Sequence, residues 1–128
     1  MSKILCECGN VIIDQTDNLE YKAYFIRDQD IESVEERSKV ISDFIKANLE
    51  GKRNEWLEGF FDSDIYNVLD DENVISDILL KFENKYISKI YQCKCCGVIK
   101  IQIGNSIEFV SFSPAEVHQM KPLFKGLS

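Results

Sequence analysis

The sequence predicts an α+β fold in which antiparallel strands from both ends of the chain frame a helical middle. Three observations predict it. The hydrophobic period changes twice, from that of strands to that of helices near Asp30 and back near Ile87. Cysteines occur in two clusters only, one near each end, as if the termini meet at a common site. Acidic residues concentrate between those clusters. A length of 128 residues suits a single domain, organised as a frame over 1–27 and 87–128 around a helical insertion over 28–86.

Over residues 3–26 the apolar side chains fall in short runs: Ile4 and Leu5, Val11 to Ile13, and the stretch beginning at Tyr21. Gly9-Asn10 and the polar stretch 14–18 separate them, which is the punctuation of strands and turns. Asp30 then stands where a helix cap is expected. Ile31, Val34, Ile41, Phe44, Ile45 and Leu49 follow one helical face, and Gly51 supplies a stop. Trp56, Leu57, Phe60 and Phe61 predict a second, short helix with its large side chains in the core. Val74, Ile75, Ile78, Leu79 and Phe82 form a third stripe. The acids Asp70, Asp71 and Glu72 open it, at the positive end of the helix dipole. Strand periodicity returns over 87–92, 98–103 and 106–112, with Gly104-Asn105 as a tight hairpin turn between the last two. Ser113-Pro114-Ala115-Glu116 has the pattern of a helix start and predicts a short helix over 115–120.

The five cysteines carry the chemistry. Cys6-Glu7-Cys8-Gly9 and Cys93-Lys94-Cys95-Cys96-Gly97 each end in a cysteine followed by glycine, and each lies between two strand candidates. This is the layout of a metal-binding knuckle. A strand delivers one thiolate, the chain turns, and a second thiolate points at the same ion. Glycine allows the positive-φ turn and leaves backbone N–H groups to bond the sulfurs. Cys6, Cys8, Cys93 and Cys96 would complete the tetrahedral four-sulfur shell of a closed structural Zn2+ site. Iron in a rubredoxin-like site is the second expectation. The second knuckle has the common Cys-x-x-Cys spacing. The first has the tighter Cys-x-Cys spacing, which leaves an exchange of Cys95 for Cys93 open. An odd cysteine count argues against a disulfide framework, and a redox pair at Cys93 and Cys96 would lack its strand-then-helix setting. The one histidine, His118, is expected at the surface or in packing.

At these residues the chain resembles a zinc ribbon split by a helical insertion. It is similar to a group of small bacterial proteins that open with Cys-x-Cys-Gly-Asn, here Cys6 to Asn10. They continue with Asp14 and Tyr21-Lys22-Ala23, and close with a strand, a Cys-x-x-Cys-Gly knuckle and a hairpin. Some of that group resemble the immunity partners of bacterial toxins, which implies a binding protein without catalysis.

Charge points the same way. The chain carries −7 overall, but residues 28–77 hold 15 acids against 5 bases. An acidic surface repels phosphate backbones and attracts basic proteins. The expected partner is therefore a basic protein, such as a toxin domain. Glu32, Glu35, Glu36, Asp43, Glu50, Glu55, Glu58, Asp62 and Asp64 are the expected contacts. Nucleic-acid binding, through a patch of Lys89, Lys94 and Lys100 beside the second knuckle, is the alternative. Catalysis is not expected: four cysteines close the coordination shell, and no phosphate loop or nucleophile elbow occurs. No apolar run reaches the roughly 20 residues of a membrane span, and the N-terminus turns to charge too early for a signal peptide. The expected location is the cytoplasm.

Overall fold

The computed structural model describes residues 2–116 and 121–127. It is an α+β structure with antiparallel strands at both ends and three helices between them. The chain divides into two compact units, residues 2–25 with 87–127 and the helical unit Ile26–Tyr86.

The first unit contains two sheets. Strands β1 (Ser2–Leu5) and β2 (Val11–Asp14) pair antiparallel, with Ser2 opposite Asp14 and Leu5 opposite Val11. Strands β3 (Lys22–Ile26), β4 (Ile87–Gln92), β5 (Ile99–Gln102) and β6 (Phe109–Phe112) form a four-stranded sheet in that order. The Gln92 N–H donates to the Tyr21 carbonyl at 2.8 Å, tying β4 to the approach of β3. The core is small, with Cys6, Ile12, Tyr91 and Cys93 buried and Ile4, Tyr21, Val98 and Phe109 packed on them.

A polar network reinforces this core. The Tyr91 hydroxyl donates to the Asp14 carboxylate, which also pairs with the Lys22 ammonium at 2.5 Å. The Tyr21 hydroxyl donates to the Ile13 carbonyl. Burial pushes the Asp14 carboxyl up, but the hydrogen bonds from Lys22 and Tyr91 outweigh it and hold the group below its usual range. A depressed carboxyl contributes stability above the ordinary aspartate range, and that contribution is lost as pH falls. Asp14→Asn is therefore expected to cost about 1–3 kcal/mol at neutral pH. Urea titrations should show the gap to wild type narrowing in acid.

The second unit packs α1 (Ile31–Leu49), α2 (Arg53–Phe61) and α3 (Asp71–Tyr86) around Phe44, Leu57, Val74 and Ile78, all fully buried. The large aromatic residues of α2 join this core as expected. Trp56 stacks on Phe60 with centroids 5.0 Å apart, and Phe61 stacks on Tyr66. At the end of α1, Gly51 has φ +74°. The Gly51 N–H bonds the Asn48 carbonyl and the Lys52 N–H bonds that of Ala47, a Schellman stop. The Asp70 carboxylate accepts from the Asn73 N–H at 2.9 Å and so caps α3. Arg53 ties the helices together. Its guanidinium bonds the Asn67 and Leu69 carbonyls and the Asp71 carboxylate while lying 5.6 Å from the Phe44 ring centre. Among the described residues no helix is long and apolar enough to cross a membrane.

Several local expectations change. Asp30 precedes α1, but its carboxylate pairs with Arg27 at 2.7 Å and caps no N–H, because a 3-10 turn over Asp28–Asp30 leads into the helix. Ile45 and Leu49 are 48% and 84% exposed. The buried stripe of α1 runs through Val34, Phe44 and Ala47, which carries those two residues to its flank. The Gly104-Asn105 turn forms, closed by the Ser106 N–H on the Ile103 carbonyl, but pairing resumes only at Glu108. Ser106 belongs to the turn because its hydroxyl bonds the Ile103 carbonyl and accepts the Glu108 N–H. That leaves Ile107 in the hairpin loop and 96% exposed. Residues 113–116 follow β6 without helical structure. The rest of the expected helix over 115–120, with His118, lies outside the described residues.

Candidate metal centre

Both cysteine clusters fold into the same backbone device. In the first, the Cys6 N–H donates to the Asn10 carbonyl and the Gly9 N–H returns to the Cys6 carbonyl, each at 2.9 Å. In the second, the Cys93 N–H donates to Val98 and the Gly97 N–H returns to Cys93, again at 2.9 Å. The second loop is one residue longer, which accommodates Cys-x-x-Cys where the first has Cys-x-Cys. Gly9 and Gly97 adopt φ +95° and +75°, the left-handed turn that glycine alone makes without strain.

The two devices face each other. The sulfurs of Cys6, Cys8, Cys93 and Cys96 all lie within 4.8 Å of one another. Cys6 and Cys96 are 3.5 Å apart and Cys8 and Cys93 3.6 Å, so each close pair joins one knuckle to the other. These separations far exceed a sulfur–sulfur bond of about 2.05 Å. They match the edge of a tetrahedron with metal–sulfur bonds of about 2.3 Å, which is about 3.8 Å. Cys95 is exposed and stands outside the group, so Cys93 occupies the position that the sequence left open between them.

The electrostatics suit a cation. Burial pushes the Cys6 thiol up to about 12, beyond what the Cys8 N–H recovers. Cys93 is buried too, but N–H groups of Cys96 and Cys95 and the Asn10 side chain point at its sulfur and bring it down to about 6. At Cys96 the Val98 N–H favours the thiolate, yet burial and the neighbouring thiols keep the group raised. Four thiols this close cannot all ionise unless a cation shares the charge. The set therefore can hold a metal ion, in a shell of four sulfurs with N–H donors behind them.

Some supporting residues escaped the sequence reading. The Asn10 amide donates across the gap to the Cys93 sulfur at 3.5 Å. Glu7, between the first two cysteines, receives the Lys100 ammonium on both carboxylate oxygens at 2.7 Å, and Ser111 completes the set. These contacts hold the Glu7 carboxyl down at about 2, chiefly through Lys100. Lys100 is only 4% exposed, so the expected basic surface patch with Lys89 and Lys94 loses one of its three members. Alternation along β5 places residue 100 on a covered face, but only the tertiary pairing names Glu7 as its partner.

A family model described as a domain of unknown function, DUF8617, matches residues 2–116. The chain belongs to this family. The match takes in both cysteine clusters and the helices between them, so in DUF8617 the helical middle is part of the domain itself. No curated protein and no solved structure matches the chain.

Proposed function

We propose that this DUF8617 protein is a non-catalytic, zinc-stabilised module that binds a basic protein, in the manner of an immunity protein neutralising a toxin domain. The convergence of four cysteine sulfurs within 4.8 Å carries the metal part of this reading. Zinc suits a closed tetrahedral thiolate shell, and such a shell leaves no open position for a substrate. The ion's task is then to hold the two knuckles together, and recognition falls to the helical unit. That unit carries 16 acids against 8 bases, while residues 2–25 and 87–127 are close to neutral. Every acid named above as an expected contact, from Glu32 to Asp64, is exposed. Complementary charge of this kind speeds association and selects partners. Burial of Lys100 against Glu7 weakens the nucleic-acid alternative by removing a phosphate contact.

Elemental analysis of the purified chain should return one zinc per chain. One iron would place a rubredoxin-like site here, and a folded, reduced protein without metal would overturn the metal assignment. Recognition is tested by affinity capture at low salt from the source cells. A basic protein should be retained and then released by salt. Reversing Glu32, Glu35, Glu36 and Asp43 to lysine should abolish its retention. Retention that survives this reversal would remove the acidic helices from the reading.

A further inference from the structure

The unit built from 2–25 and 87–127 contains a cavity of about 590 Å3 that has no part in the cysteine cluster. Its floor is one face of the four-stranded sheet, where the register aligns two rows. Tyr91, Lys100 and Ser111 lie opposite one another across β4, β5 and β6. Gln102 and Phe109 make the next row, joined by Lys89, whose N–H donates to the Gln102 side chain at 2.8 Å. Strand β1 lines it through Lys3, Ile4 and Leu5, and the hairpin loop through Ser106 and Ile107.

The composition of this cavity is unlike that of the chain around it. Three lysines line it, Lys3, Lys89 and Lys100, against the single carboxylate of Glu7. Glu7 is matched by the buried Lys100. Asp14, whose charge Lys89 feels, is already held by Lys22 and Tyr91. Lys3 and Lys89 therefore leave a local surplus of positive charge in a unit that is otherwise close to neutral. Beside them Leu5 and Ile107 are strongly exposed, and Phe109 lines the floor. Large apolar side chains left in water beside paired cations mark a site for an amphipathic ligand. The volume is that of a small-molecule pocket, typically about 300–1,000 Å3.

We infer that this cavity binds a small organic anion, a carboxylate, sulfonate or phosphate carried on an aromatic or short aliphatic body. The anionic head meets the ammonium groups of Lys3 and Lys89. The apolar body lies on Phe109 between Leu5 and Ile107, and the Gln102 side chain, whose amide nitrogen already donates one N–H to the Ser106 carbonyl, offers its second at the turn. Lys100 stays with Glu7 and Ser111 and keeps the floor in place.

The test uses two probes of similar shape on the full chain as purified, 8-anilinonaphthalene-1-sulfonate and the uncharged N-phenyl-1-naphthylamine. The sulfonate should bind at least about tenfold more tightly than its neutral twin. In 15N-edited spectra it should shift the amides of Lys89, Gln102 and Phe109. Lys89→Glu should weaken the sulfonate about tenfold and leave the neutral probe unchanged. Lys3→Glu, at an exposed strand position, should do the same and serves if Lys89→Glu fails to fold. Equal affinity for the two probes, shifts confined to the helices, or indifference to both charge reversals would overturn the assignment.

Discussion

Cys6→Ala is expected to abolish metal binding and unfold the part of the chain formed by 2–25 and 87–127. Free energies of structural zinc binding are on the order of 10 kcal/mol, and in small domains that energy is folding energy. The core here offers little else: two of its four fully buried residues, Cys6 and Cys93, are themselves in the thiol group. Cys96→Ala should behave alike, and a strong chelator should mimic both. Cys95→Ala should leave metal content and spectra unchanged, since its thiol stands outside the group. Elemental analysis with 15N-edited spectra reads the result. Trp56, the one tryptophan, belongs to the helical core, so its fluorescence should persist while the strand resonances collapse. Loss of metal in Cys95→Ala would show that the ligand set is wrong.

Phe44→Ala should act in the opposite place. Phe44 is 0% exposed, its ring centre is 5.3 Å from that of Trp56, and it packs in one cluster with Leu57 of α2 and Val74 and Ile78 of α3. Removing a buried phenyl group costs its transfer free energy and leaves a cavity, together about 3–5 kcal/mol. For one small helical unit that is most of the stability available. Urea titration followed by Trp56 fluorescence should show the loss, with metal content retained. Leu49→Ala, on the same helix but 84% exposed, should change stability by less than about 0.5 kcal/mol. A large effect there would mean that Leu49 is covered by a partner in solution.

The contrast between Phe44 and Leu49 shows where the sequence was legible. Both lie on the periodic face drawn from sequence, but periodicity fixes a stripe only to within a residue or so of rotation. The neighbours decide the rest, and here Ala47 takes the inward position. Helix stops were readable because they depend on local backbone: Gly51 does what its lack of Cβ allows. Starts were less so, since Asp30 had a choice of partners and Arg27 was nearer. At the candidate metal site the two cysteine clusters were visible in spacing alone, because a knuckle is a local device, but spacing left Cys93 and Cys95 as alternatives and only the fold brings Cys93 into the group. The contacts of Asn10 with Cys93 and of Glu7 with Lys100 span 83 and 93 residues, and no local pattern encodes such pairings. Asp14, Tyr21 and Lys22 were noted as parts of a motif. Their reason emerged only when they met the buried Tyr91 and the end of β2.

The order of the four-stranded sheet has one more consequence. Strand β3 precedes the helices, β4 follows them, and the two are neighbours in the sheet. The chain therefore departs on a detour of some sixty residues and comes back to the adjacent lane. The entropy of closing a loop grows only with the logarithm of its length. Lengthening or shortening the detour should thus leave the geometry at Cys93 and Cys96 undisturbed. Selection can then rewrite the surface of the helices while the ends of the chain stay under a separate, slower clock.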